Sequence, residues 1–174
     1  VLERSKEPST IGSTSKHWYR IEAPDGKSGW TFGSLSQPFD PSRKAETFIE
    51  LGRRRLRLKS KAVADWIELV NFLGRVAPTI PKGELNARLR WMYIRALQNL
   101  AQNCTQTNDK RCRTGPVAEL QRKRVLHYVD FGDSGFFVNT ELFWKLHDEY
   151  PKLPLADEIG WAAARNAMGG ECEG

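Results

Sequence analysis

The stretch His17-Trp18-Tyr19-Arg20-Ile21-Glu22-Ala23-Pro24-Asp25-Gly26-Lys27-Ser28-Gly29-Trp30-Thr31-Phe32 decides the fold of the N-terminal part of the chain. From Trp18 to Glu22, large apolar and polar groups alternate. That is the pattern of a strand whose successive side chains point to opposite faces. Asp25-Gly26 is a strong short-range hairpin signal, because glycine accepts the positive φ that a tight turn needs. From Ser28 to Phe32 the alternation resumes, so two antiparallel strands are expected around that turn. The period of two places Trp18 and Arg20 on one face, and Tyr19 and Ile21 on the other. Upstream, Leu2-Glu3-Arg4 reads as an earlier strand and residues 8–15 as a polar loop.

Downstream, two prolines in Gln37-Pro38-Phe39-Asp40-Pro41-Ser42 stop a strand and precede a helix, which makes this the expected linker. The domains expected are therefore 1–38 and 39–174. Ser42 is a candidate N-cap for a first helix with apolar positions at Phe48, Leu51 and Leu58. Ala62, Trp66, Leu69, Val70 and Leu73 recur at helical spacing and mark a second helix, ended by Pro78 and Pro81. Leu85, Leu89, Met92, Ala96 and Leu100 mark the strongest helix, running into Cys104. Pro116 opens a shorter one with Val117 and Leu120. Residues 126–131 and 136–138, separated by turn chemistry at Gly132-Asp133-Ser134-Gly135, read as a second hairpin. Asn139 or Thr140 then caps a helix holding Leu142, Phe143 and Leu146. A last helix carries Leu155, Ile159, Ala162 and Ala163, with Gly169-Gly170 as its expected end.

The 174 residues suit one ordinary domain or two small ones, and a 40% apolar fraction builds a core, which excludes wholesale disorder. The 27 Lys and Arg against 21 Asp and Glu give a net charge of +6, a bias toward anionic partners such as nucleic acid, anionic lipid or acidic wall polymer. No apolar run approaches the roughly 20 residues that span a bilayer, so no transmembrane segment is expected. Cys104 and Cys112 flank a short polar loop and suit a disulfide worth about 2–3 kcal/mol in the loop-entropy picture. Cys172 is left over, for a partner in further sequence, in another chain, or as a free thiol. Zinc lacks a Cys-x-x-Cys pair and the three histidines are scattered, so neither metal nor cofactor is expected.

Trp18-Tyr19-Arg20-Ile21, then Asp25-Gly26-Lys27-Ser28-Gly29-Trp30, then Phe32-Gly33, resembles the second half of bacterial SH3-like domains, over about residues 1–38. The family's first half is not visible before Val1, so the barrel would begin upstream or be completed in another way. The tail from Leu155 to Gly174 is similar to tails of exported bacterial proteins that carry such domains and have no known activity. The resemblance implies an α+β chain: a small SH3-like β-barrel segment followed by a mainly α-helical domain with one hairpin. It also implies a periplasmic, secreted or cell-envelope location, with a signal peptide already removed.

SH3-type folds hold extended ligands in aromatic grooves, so Trp18, Tyr19, Trp30 and Phe32 are candidate ligand-binding residues. Core packing is the competing role, because a small barrel needs large side chains to fill it. Arg53, Arg54, Arg55 and Arg57 are candidates for anion binding, and a solvated helix is the competing role. No catalytic set emerges. Asp157 and Glu158 suit the first turn of a helix, Cys172 has no histidine near it in sequence, and His127 and His147 lie on or beside apolar segments. The expected function is a non-catalytic binding module recognising a peptide, a protein or a cell-wall polymer. Two alternatives stay open. One is a wall or peptide hydrolase with a catalytic helical part and a targeting SH3-like part. The other is phosphate or nucleic-acid binding through residues 53–61, the less favoured of the two.

Overall fold

A computed structural model of the protein describes residues 1–22, 26–34, 39–57, 62–130 and 134–170. The fold is mixed α+β. The chain divides into two compact units, Val1–Ser42 and Arg43–Gly174.

In the first unit, β1 (Glu3–Arg4), β4 (Trp18–Glu22) and β5 (Ser28–Phe32) form an antiparallel sheet in the order β1-β4-β5. The register pairs Trp18 with Phe32 and Arg20 with Trp30. Gly26 has φ +80°, the left-handed conformation the turn requires; Asp25 lies outside the described residues. A separate two-stranded ladder joins β2 (Ser9–Ile11) to β3 (Thr14–Lys16) through Gly12 at φ +59°. The loop expected over residues 8–15 is thus a hairpin. Thr10, Ile11 and Thr14 supply the β-branched side chains a strand favours, and one glycine supplies the turn. Among the described residues these strands do not close into a barrel. The α+β reading stands without the SH3-like closure, since β1 and β5 both end the sheet as edges. Phe32 is 4% exposed and is the only buried apolar side chain among the described residues of this unit.

The second unit holds the helices α1 (Lys44–Arg57), α2 (Val63–Val76), α3 (Glu84–Gln106), α4 (Gly115–Arg122), α5 (Glu141–Glu149) and α6 (Ala156–Gly170). The hairpin β6 (Leu126–Val129) with β7 (Gly135–Val138) lies between α4 and α5 in the chain. In the 3-10 turn Pro41–Arg43 ahead of α1, Asp40 Oδ1 accepts from the Ser42 N–H at 2.9 Å and from the Ser42 hydroxyl at 2.7 Å, so the Ser42 hydroxyl is engaged as a donor. Leu58 and the rest of 58–61 lie outside the described residues. Asp65 Oδ2 accepts from the Ala62 N–H at the start of α2. Asn139 Oδ1 accepts from the Glu141 N–H at the start of α5, while the Thr140 side chain caps nothing there. α6 reaches Gly170, the last of the described residues, so Gly169-Gly170 stand at its described end.

The 23-residue α3 runs for about 34 Å at 1.5 Å per residue and packs against α1, α2, α5 and β7. Leu69, Leu73, Leu89, Leu97 and Leu100 are fully buried around it. Each contributes about 2 kcal/mol of hydrophobic burial relative to exposure. Gly52 lets α1 approach α3, since a Cβ there would meet the Met92 side chain and, at 3.2 Å, Leu73 Cδ2. One side of the C-terminal third of α3 stays exposed and lines a surface feature.

Candidate ligand groove on the helical unit

The last third of α3 carries no charge. From Ala96 to Asn108 every residue is neutral, in a chain with 28% charged residues. Gln98, Gln102 and Gln106 recur every four residues on this segment, so they share one side of the helix. None of the three side chains has a hydrogen-bond partner among the described residues. With Ala101 and Thr105 they form one wall of an open groove of about 670 Å³. The other walls come from Ser134, Phe136, Phe137 and Val138 around β7, and from Asn166 on α6. Among the described residues no lining residue is charged.

Two side chains tie the walls together. Thr105 Oγ1 donates to the Ala101 carbonyl at 3.0 Å and accepts from the Phe136 N–H at 2.8 Å. Asn166 Nδ2 donates to the Val138 carbonyl at 2.8 Å and to Thr140 Oγ1 at 2.9 Å. Gly135 is required at this junction, because a Cβ there would lie 2.8 Å from both Thr105 Cγ2 and Thr105 Oγ1.

The ladder register fixes which backbone groups face the groove. The Asn139 N–H bonds the Val125 carbonyl, and His127 pairs with Phe137 two residues further along each strand. Residues 136 and 138 therefore turn their N–H and C=O away from β6. On that outer edge Thr105 and Asn166 take one group each. The Phe136 C=O and the Val138 N–H are left without a partner among the described residues. Val138 is only 1% exposed, and a buried N–H without an acceptor is both rare and costly.

A disulfide holds the end of α3 in place. Cys104 is bonded to Cys112, both nearly fully buried. The connecting loop is ordered by Asp109, whose Oδ1 accepts from the Arg111 N–H and whose carboxylate pairs with the Arg111 guanidinium. Those two contacts hold the Asp109 carboxyl at about 2, well below its ordinary value.

The residues singled out from sequence lie elsewhere. Trp18, Trp30 and Phe32 share one face of the N-terminal sheet, and Tyr19 lies on the other. Trp18 packs on Phe32 with ring centroids 5.3 Å apart, which engages both in packing. Trp30 is 49% exposed. The arginines of α1 diverge. Arg54 pairs with Glu50, Arg55 sits over the Phe72 ring at 5.8 Å, Arg53 lines a cleft with Glu84 and Arg88, and Arg57 is exposed at the helix end. His127 stacks on Phe137, and His147 accompanies Asp148 and Trp144. Glu158 accepts from Trp91 Nε1 and pairs with Arg95, while Cys172 lies outside the described residues. Among the described residues no group of three or more His, Cys, Asp or Glu gathers as a metal site.

The sequence reading missed the groove. The available signal was the uncharged run from Ala96 to Asn108 with its three evenly spaced glutamines. Comparison with known proteins finds no matching family model, no similar curated protein and no similar solved structure.

Proposed function

We propose that this is a non-catalytic binding module of an exported bacterial protein, and that it takes a peptide, protein segment or cell-envelope polymer into the α3–β7–α6 groove. One observation carries the reading. Among the described residues the lining of the groove of about 670 Å³ is uncharged, with three unpartnered carboxamides on one wall and Phe136 and Phe137 on another. Concave sites with apolar walls and a few convergent polar groups are where ligands bind. On a chain of net charge +6, a wall whose described residues carry no charge favours a ligand that is neutral where it touches them. The buried Cys104–Cys112 disulfide supports an oxidising compartment. Among the described residues no helix is long and apolar enough to cross a membrane.

The test is binding by the full chain of two neutral probes, a displayed random dodecapeptide library and chitohexaose, compared with Gln102→Arg. Gln102 is exposed on the helix, so the variant keeps the fold and puts a charge in mid-groove. Binding by the parent, weakened at least about tenfold in the variant (about 1.4 kcal/mol), is the expected result. Equal binding by both proteins, or none by either, sinks the reading.

A further inference from the structure

The groove's hydrogen-bonding groups have a spacing and a chemistry that narrow its ligand. Gln98, Gln102 and Gln106 lie one above another on α3, separated by four residues each, or about 6.0 Å along the axis. Each carboxamide both donates, through its NH₂, and accepts, through its oxygen. A peptide unit has the same dual character. In an extended chain the N–H and C=O groups that face one side recur every two residues, about 6.6–6.8 Å. Over the three glutamines the two repeats drift apart by only about 1–2 Å, which the flexible glutamine side chains absorb.

A second, independent feature lies on the opposite wall. The outer edge of β7 presents the Phe136 C=O and the Val138 N–H between the two groups tied by Thr105 and Asn166. These are the groups an added strand would use, and the buried Val138 N–H has no other acceptor among the described residues. Phe137, half-buried where Phe136 and Val138 are buried, adds apolar contact for the ligand's side chains.

We infer, resting on the groove reading above, that the ligand is an extended, uncharged peptide segment of about five residues, held by its main chain between the Gln98–Gln102–Gln106 ladder and the edge of β7. Recognition through the main chain asks little of the ligand's sequence beyond the absence of charge. A strand of a partner protein serves as well as a free peptide.

The experiment uses the full chain labelled with ¹⁵N and synthetic peptides taken from the library selection, with chitohexaose as the other arm. Expected are shifts in the side-chain NH₂ signals of at least two of the three glutamines and in the Val138 amide signal. N-methylation of the alternate peptide amides that face the glutamines, or of the intervening amide that donates to the Phe136 C=O, should weaken binding at least tenfold, and methylation of the remaining amides should matter much less. Peptides that bind with those signals unmoved, or that tolerate methylation everywhere, overturn the inference. So does chitohexaose binding that Gln102→Arg abolishes while no peptide binds, although the groove itself then survives as a site. If neither probe binds, both the inference and the groove reading fall.

Discussion

The N-terminal sheet and the helical unit invert the usual relation between motif and core. Val1–Ser42 carries the most recognisable sequence pattern, yet Phe32 is its only buried apolar side chain among the described residues. Arg43–Gly174 has no motif of comparable sharpness, but its core is continuous from Ala45 to Ala163. Strand register and turn chemistry specify a hairpin locally. Stability comes from apolar area removed from water, and a small unit has little of it to offer. Legibility in sequence and mechanical solidity are therefore separate properties in this molecule.

A matched pair of core truncations separates the two units by their stability. Leu97→Ala, at a fully buried position of α3, should destabilise the helical unit by about 2–5 kcal/mol. Phe32→Ala should release the N-terminal sheet while the main helical unfolding transition stays where it was. Urea denaturation followed by far-ultraviolet circular dichroism reads the first effect. Amide exchange over residues 18–22 and 28–32 reads the second. A common shift of the helical transition in both variants would show one cooperative unit and end the contrast.

The next effect in size belongs to the disulfide. Cys104 and Cys112 are eight residues apart and close a short loop. Reducing that bond, or replacing both residues by serine, should lower the stability of the helical unit by about 2–3 kcal/mol in the loop-entropy picture. The C-terminal turns of α3 should loosen first, since the bond anchors them. The glutamine side-chain signals at 102 and 106 should broaden on reduction, with Gln98 less affected. Unchanged unfolding midpoints with and without reductant would contradict this.

These elements also show what sequence reading reaches. The helices around Trp66–Leu73 and Leu89–Leu100 were legible because their apolar spacing repeats over several turns, and the hairpin near 126–138 because turn residues separate two apolar runs. The disulfide was legible from the polar loop between two cysteines. The β2–β3 hairpin was not, since none of its residues is buried and a solvated strand has no apolar alternation to read. The barrel expectation extended two adjacent strands by resemblance, and the described strands stop at edges. The groove was hidden for a different reason. Gln98, Gln102 and Gln106 look like the wet side of an amphipathic helix, and only the approach of β7 and α6 turns that side into a wall.

The smallest effect tests whether the helical unit's surface adds to what its core provides. Glu149 at the end of α5 accepts from Arg90 Nη1 at 2.5 Å and pairs with Lys82 Nζ at 2.9 Å. The Arg90 bond first, then the Lys82 bond, hold its carboxyl below the ordinary glutamate value. A depressed folded-state pKa means that the unfolded chain takes up this proton more readily. The stabilisation is therefore complete above the unfolded value of about 4.3 and fades as pH falls through the folded value below it. Glu149→Gln should lose a little stability at neutral pH and should flatten the acid limb of the stability curve below about pH 4.3. The buried latch beside it, Tyr150 Oη donating to Asn86 Oδ1 at 3.0 Å with Asn86 Nδ2 donating to the Ala77 and Ile80 carbonyls, has no charge and should keep the unit folded throughout. Thermal melts of both proteins from pH 3 to pH 7 decide the matter. Parallel curves would mean that the ion pairs contribute nothing and that the core, with its neutral latch, carries the unit alone.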